Sequence, residues 1–473
     1  MKTTKKIFAA VLAVMMIALM IPFSASAAEG NTYNAFIKGK NGFTVDVYKV
    51  AKINTTTGEY TEIQGGTAVE TALKTWKNAS GNDSKALLAA CESATFTDAD
   101  SKGNHEFTSD EDVYNFGTNE AGVYYVKVTG QPAETSVKKK GGALFALPEG
   151  TKTTQGSAEA PIELKINTGA VEVSKEIVGG DINTKKTTAS AGDTVTFKLT
   201  ASVTGSKEVP LTEYTIHDNL SDSFDTPAVT EVMVGSTELK ETIDYTVDKT
   251  NQSDIKISLT PAYLANATKA EGEEGSNNFY ASSDVTVTLT AILKDTAVSG
   301  NTATANSNSD RLTYTNTYGQ TEKSGETVYV YTFDLPVFKY DGTTDNKTGL
   351  GNATFELKTK EGTLIDTKTT DGSGNVTFAK LGAGTYKVKE TVAPAGYNLN
   401  SSEYTVVIST TGVITVTVDG NSSTVNQVEV PDYPVTVPST GGMGTMMFYV
   451  GGAALIACAG VLLFVLKRKK AAK

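Results

Sequence analysis

Val171-Glu172-Val173-Ser174-Lys175-Glu176-Ile177 is the stretch whose alternation decides how most of this chain is read. Successive side chains of a strand point to opposite faces, so residues two apart share a face. Val171, Val173 and Ile177 then form an apolar face, and Lys175 stands among them. Glu172, Ser174 and Glu176 fill the other side. The pattern predicts a half-buried strand with a lysine aimed at the core. Such a lysine is costly unless its charge is removed or paired.

Outward from this stretch the same period recurs. Thr194-Val195-Thr196-Phe197-Lys198-Leu199 and Val285-Thr286-Val287-Thr288-Leu289 alternate in the same way. Gly, Asn, Asp and Ser clusters separate such runs, as turns between strands require. Asp341-Gly342, Asp371-Gly372 and Asp419-Gly420 are candidate turns. One region departs: Val69, Ala72, Leu73 and Trp76 follow helical spacing, and so do residues 85–91. The expectation is a mainly β chain of tandem immunoglobulin-like sandwiches, with a helical insertion in the first. The expected domains are 29–168, 169–333 and 334–433, and 434–473 forms a tail.

Charged residues fall on core faces more than once. Val337 and Lys339 share a face, although Phe338 and Tyr340 make the other face apolar too. Asp218 is in phase with Ile216 and Leu220, and Glu390 with Tyr386 and Val388. The second and third expected domains thus each offer one inward lysine and one inward acid. Burial disfavours charge on either group. A neutral lysine amine is a nucleophile, and a protonated acid can polarise a side-chain carbonyl. Packing holds the groups at high effective concentration. Those are the needs of a spontaneous Lys–Asn or Lys–Asp isopeptide bond. A set of buried ion pairs fits the same pattern.

The two ends of the chain give an address. Lys2, Lys5 and Lys6 precede an apolar run over 7–23 and then Ser24-Ala25-Ser26-Ala27-Ala28. That is the form of a secretory signal peptide, 1–28. At the other end stands Val437-Pro438-Ser439-Thr440-Gly441, then an apolar run over about 446–466, then Lys467-Arg468-Lys469-Lys470. A run of about 20 apolar residues spans a bilayer, and the basic cluster stays cytoplasmic. Thr440-Gly441 is then held just outside the membrane. The arrangement resembles the sorting signal of Gram-positive surface proteins, with Val437 where Leu is commonest. The resemblance implies cleavage by sortase between Thr440 and Gly441, and transfer of Thr440 to an amine.

The net charge of −11 understates the acidity of the part between these ends. The signal peptide carries three lysines and the segment after Thr440 five basic residues, with no acid in either, which leaves about −19 between them. That argues against nucleic acid or an anionic membrane as partner. The two cysteines are Cys91 and Cys458. Cys458 would leave with the tail, so the mature chain has no internal disulfide, the usual staple of secreted domains. Cys91 shares a helical face with Leu87 and Leu88 and is expected to pack.

Tyr386-Lys387-Val388-Lys389-Glu390-Thr391-Val392-Ala393-Pro394-Ala395-Gly396-Tyr397 closely resembles the E-box of collagen-adhesin B-type domains in Gram-positive pilins. The resemblance makes Glu390 the proton-shuttling acid and Lys339 the crosslinking lysine. The family's acceptor is usually an Asn in the last strand; here Val428-Glu429-Val430-Pro431-Asp432 offers Asp432, with Asn426 as rival. The second domain resembles the isopeptide-forming middle domain of pilin backbones. There Lys175 is implied as the lysine, Asp218 as the acid and Asn301 as the acceptor, with Asn316 a weaker alternative. Backbone pilins also need a polymerising lysine near the end of the first domain, where Lys165 stands without the usual Tyr-Pro before it.

The expected function is a major pilin subunit, secreted, joined by sortase through Thr440 to Lys165 of the next subunit, and fixed to peptidoglycan. The crosslinking is self-catalysed and single-turnover, so no enzyme and no cofactor is expected. The alternative is a monomeric wall-anchored adhesin or minor pilin that binds a host ligand. His105 and His217 fall in different expected domains and assemble no triad or metal cluster. Asp98-Ala99-Asp100-Ser101-Lys102-Gly103 resembles a calcium loop only faintly, with Lys102 at a ligand position.

Overall fold

A computed structural model describes residues 32–470 except 55–56, 58, 79–84, 140, 148–160, 165, 167, 301–305 and 437–443. The expected signal peptide, Asn301, Lys165 and the motif Val437 to Gly441 therefore lie outside the described residues. The chain divides into two compact units, Met1–Thr332 and Phe333–Lys473. The first two expected domains fall within the first unit, apart from Phe333, which opens the second.

At the start of the first unit, Thr44–Ile53 pairs with Gly122–Gly130, which pairs with Gly142–Leu147. A second sheet holds Thr32–Lys38 between Val113–Glu120 and Ile162–Glu163. Gly122–Gly130 does not alternate; Val123, Tyr124, Tyr125 and Val126 are all buried. The reason is cover on both faces. Tyr124 and Val126 pack with Ile37 and Phe116 of the second sheet. Val123 and Tyr125 pack with Val69, Leu73, Leu87 and Cys91. These last come from the helices Gly66–Asn78 and Lys85–Ser93, the expected insertion. Their apolar stripes have no other place to go.

The rest of the first unit is a sandwich. One sheet runs in the order Val173–Ile177, Thr194–Ser202, Asp284–Ile292, Ala228–Val234, Thr237–Glu238. The other runs Lys186–Thr188, Gly319–Tyr331, Ser307–Asn316, Glu213–Leu220, Ile255–Leu259, Tyr245–Asp248. Phe197, Leu199, Val287, Leu289, Ile216 and Leu312 share the core between them. Val173–Ile177 is an edge strand and buries Val173, Lys175 and Ile177.

The second unit opens with Phe333–Asp341, flanked by antiparallel Asn375–Leu381 and parallel Val428–Asp432. A six-stranded sheet faces this trio: Leu364–Thr369, Thr354–Thr359, Gly384–Val392, Glu403–Ile408, Ile414–Val418, Asn421–Val425. The last hairpin turns at Asp419 (φ 49°) and Gly420 (φ 79°). Two successive left-handed residues make the type I′ turn that suits strand twist. Farther on, Gly444–Lys470 is a helix whose stretch Met446–Arg468 has mean hydropathy 2.3, long and apolar enough to cross a membrane.

Candidate functional site

In the first unit the edge strand Val173–Ile177 brings Lys175 to the seam between the two sheets. Alternation places Lys175 inward beside Val173 and Ile177, and Asp218 inward from Glu213–Leu220. Asn308 enters from Ser307–Asn316, whose strict alternation buries Asn308, Asp310, Leu312 and Tyr314 on one face. Lys175, Asp218 and Asn308 are 1%, 0% and 0% exposed. Lys175 Nζ donates to Asn308 Oδ1 at 2.6 Å and to Ser309 O at 3.2 Å, and contacts Asp218 Oδ1. Burial pushes the Lys175 amine below its ordinary value, against the pull of Asp218. Asp218 Oδ2 and Asn308 Nδ2 are buried without a hydrogen-bond partner.

The amide beside Lys175 is thus that of Asn308, not a residue the sequence reading named. Asn301 lies outside the described residues. Asn316 is buried on the same strand face as Asn308. It sits eight residues along, roughly 27 Å at strand rise, where its Oδ1 accepts from Tyr318 N. It cannot serve Lys175.

In the second unit Lys339 lies on the opening strand and Asp432 on the parallel strand beside it, with Lys339 opposite Val430 in register. Glu390 projects from Gly384–Val392 in the facing sheet, in phase with Tyr386 and Val388. Lys339, Glu390 and Asp432 are each at most 1% exposed. Lys339 Nζ lies 3.0 Å from Glu390 Oε1 and also contacts Asp432 Oδ1. Neither approach has hydrogen-bond angles, so the amine and these oxygens are unsatisfied as donors and acceptors. Burial raises both Glu390 and Asp432 above the usual carboxylate range, overriding Lys339. Phe338 and Tyr340, which blurred the phase in sequence, stack on each other at 5.8 Å on the opposite face. The rival acceptor Asn426 is exposed.

Asn400 is a further participant the sequence reading missed. Its backbone N–H donates to Glu390 Oε2 at 2.7 Å, and its Nδ2 to Pro431 O at 2.9 Å. It ties the acid to the strand that carries Asp432. A cleft of about 460 Å³ lined by Asn398, Asn400, Tyr404, Pro431 and Asp432 opens beside the cluster. No alternation signals Asn400, because it lies in a loop.

His217 is also placed, on the outer face of its sheet. Its Nδ1 lies 2.7 Å from Asp254 Oδ1 and its Nε2 2.8 Å from Thr313 Oγ1, with Arg311 Nη2 2.8 Å from Nδ1. Among the described residues no cluster fit to hold a metal ion is present.

What the two buried clusters can do is fixed by their groups. Each holds an amine against the oxygen of an amide or carboxyl group with a further carboxyl alongside, all of them buried. Condensation to an amide removes the buried charge, which ion pairing only offsets.

Residues 335–422 match the family described as SpaA: Prealbumin-like fold domain. Over 96 residues the chain is 32% identical to the trypsin-resistant surface T6 protein of Streptococcus pyogenes serotype M6, which is 20% of this chain and 18% of that protein. The T6 backbone pilin of S. pyogenes serotype M6 superposes with TM-score 0.57 and 17% identity, over 87% of this chain and 100% of that one. The full-length major pilin SpaD of Corynebacterium diphtheriae gives TM-score 0.56 and 19% identity, over the same shares. The major pilin SpaA of C. diphtheriae, whose structure points to a modular pilus assembly stabilizing isopeptide bonds, gives 0.50 and 14%, over 85% and 100%. Residues 335–422 therefore match a SpaA-type prealbumin-like domain, and the chain shares the fold of the solved major pilins of C. diphtheriae and S. pyogenes.

Proposed function

We propose that this chain is the structural subunit of a covalently polymerised cell-surface pilus, stiffened by two self-formed isopeptide bonds. The observation that carries the proposal is the pair of buried clusters, Lys175 with Asp218 and Asn308, and Lys339 with Glu390 and Asp432. In the first, the lysine amine attacks Asn308 Cγ and ammonia leaves. In the second, Lys339 attacks Asp432 Cγ and water leaves. Asp218 and Glu390 polarise the carbonyls and carry protons. The Lys175–Asn308 bond would close a loop 133 residues long. By analogy with a disulfide over such a loop, it contributes about 4–5 kcal/mol by restricting the unfolded chain.

The assembly part of the proposal rests on the sequence. Sortase cleaves after Thr440 and joins it to Lys165 of the next subunit, and the last subunit is passed to peptidoglycan. The signal peptide directs export, and the apolar helix with its basic cluster holds the chain at the outer face of the membrane until then. Three domains, 29–168, 169–333 and 334–433, form the mature subunit. The isopeptide bonds to which the SpaA structure points support the same reading here.

Boiled cell-wall extracts run on a denaturing gel test it. The proposal predicts a ladder of high-molecular-weight species. A single band at the mass of one subunit contradicts it, and favours a monomeric wall-anchored adhesin or minor pilin that binds a host ligand.

A further inference from the structure

A second carboxyl shares the site around Lys175. Asp310 lies two residues from Asn308 on the same strand face, directly opposite Asp218 in register, and is buried. The fold makes room for it. The ladder between Ser307–Asn316 and Gly319–Tyr331 slips between Ser309 and Arg311, where Gly325 and Glu326 together oppose Asp310 as a bulge in Gly319–Tyr331. Any side chain at Gly325 would collide with the Asp310 carboxyl and with Val173. Asp310 Oδ1 accepts from Glu326 N at 2.9 Å, while Oδ2 is buried without a partner. Asp218 Oδ2 and Asn308 Nδ2 are orphaned in the same way. One lysine is thus enclosed with two carboxyls. Two carboxylates and one ammonium would leave an uncompensated buried charge, which is strongly unfavourable; one retained proton removes it.

We propose that Asp310 is a positioning residue for the Lys175–Asn308 bond, acting with Asp218 as a carboxyl pair that keeps one proton beside the reacting amide. The proposal rests on the isopeptide reading given above. The ammonium of Lys175 passes a proton to the ionised member of the pair. The protonated member still faces the amide, so an acid is present throughout. The neutral amine adds to Asn308 Cγ, the Cγ–Nδ2 bond breaks, and the second amine proton goes with the nitrogen as ammonia. The pair ends with two protons and the site with no net charge.

The charged groups around Asp310 are Lys175 from the edge strand, Asp218 from the strand opposite, and Glu326 from the bulged partner. Lys185 also contacts Glu326 and the Lys175 carbonyl. Burial lifts the Asp310 carboxyl to about 6; Lys175 and the hydrogen bond from Glu326 N oppose the rise, and the charges of Asp218 and Glu326 add to it. Ionising Asp310 strips the pair of its proton and steadies the Lys175 ammonium, so bond formation slows as pH rises through that value.

The test is cell-free synthesis of the full chain across about pH 5 to about pH 8. Samples are quenched in denaturant at intervals, and the Lys175–Asn308 crosslinked peptide is quantified by mass spectrometry. Wild type is expected to form it more slowly as pH rises. Asp310→Asn keeps the shape and the acceptor for Glu326 N. It is expected to be at least about tenfold slower at the acid end and to lose the pH dependence. Asp310→Glu is expected to restore the dependence in part. Asp310→Asn at the wild-type rate overturns the proposal, and so does a slower rate with the wild-type pH profile, which marks a packing role only. A wild-type chain with no Lys175–Asn308 peptide at any pH overturns the isopeptide reading itself.

Discussion

Lys339 and Glu390 pose the problem of this protein in its smallest form: two ionisable groups face each other where neither meets water. Burial raises the Glu390 carboxyl, so it is suited to hold a proton rather than a charge. If it is the shuttle for the Lys339–Asp432 bond, Glu390→Ala stops bond formation. The expected readout is an intact mass about 18 Da higher than wild type once the substitution itself is subtracted, equal to the water that condensation releases. An unchanged deficit removes Glu390 from the role. Cys91 gives the contrary case of a buried group that does nothing chemical. Its thiol is packed with Leu87, Val69 and Tyr125, and burial pushes it up to about 12. A thiolate is the reactive species. Alkylation of Cys91 at neutral pH is therefore expected only after denaturation, and rapid labelling of the native protein contradicts the packing account.

Strands set what the sequence could reveal. Val173–Ile177 alternates, and that made Lys175 legible as an inward residue; in Phe333–Asp341 the apolar Phe338 and Tyr340 blur the phase, and the E-box resemblance is what singles out Lys339. Asp218 and Glu390 were legible from phase, whereas Asp432 shares its phase with Asn426 and was legible only through the resemblance. Asn308 obeys the same rule in Ser307–Asn316, one step before Asp310, Leu312 and Tyr314. Phase in that strand points to Asn308, whereas the family resemblance points to Asn301 in Gly300-Asn301-Thr302-Ala303, which lies outside the described residues. Asn400 could not be found that way, since loops carry no period. The helices Gly66–Asn78 and Lys85–Ser93 were visible from spacing, but not the fact that they cover a sheet already faced on its other side.

Adjacent strands also create the His217 cluster. Burial holds this imidazole below its ordinary value, with Arg311 and Lys256 adding to the effect and Asp254 opposing it. The folded protein then binds fewer protons than the unfolded one near the histidine range. The contribution to stability is complete above about pH 6.5 and is lost as pH falls toward the folded value. The denaturant midpoint is expected to fall over that window, and His217→Gln to flatten the fall. Equal slopes in the two proteins contradict it.

At the scale of the whole molecule the proposed function would give a covalent plan with two levels, bonds within subunits and bonds between them. The chain has no cysteine pair for a disulfide in its mature part, and buried lysines stand where another staple would act. Between subunits, the proposed link would join Thr440 to Lys165. Lys165→Ala is expected to collapse the wall ladder to monomer, while leaving both internal bonds intact. A persisting ladder assigns the acceptor amine to another lysine. The acidic surface and the tail with its apolar helix are consistent with display outside the membrane.

The most direct measurement is the intact mass of the folded, mature chain, followed by peptide mapping. The account predicts a deficit of about 35 Da, about 17 from ammonia and about 18 from water, with Lys175 joined to Asn308 and Lys339 joined to Asp432. Full theoretical mass, with both lysines recovered in uncrosslinked peptides, would show that the buried clusters are ion pairs and that this fibre has no internal struts.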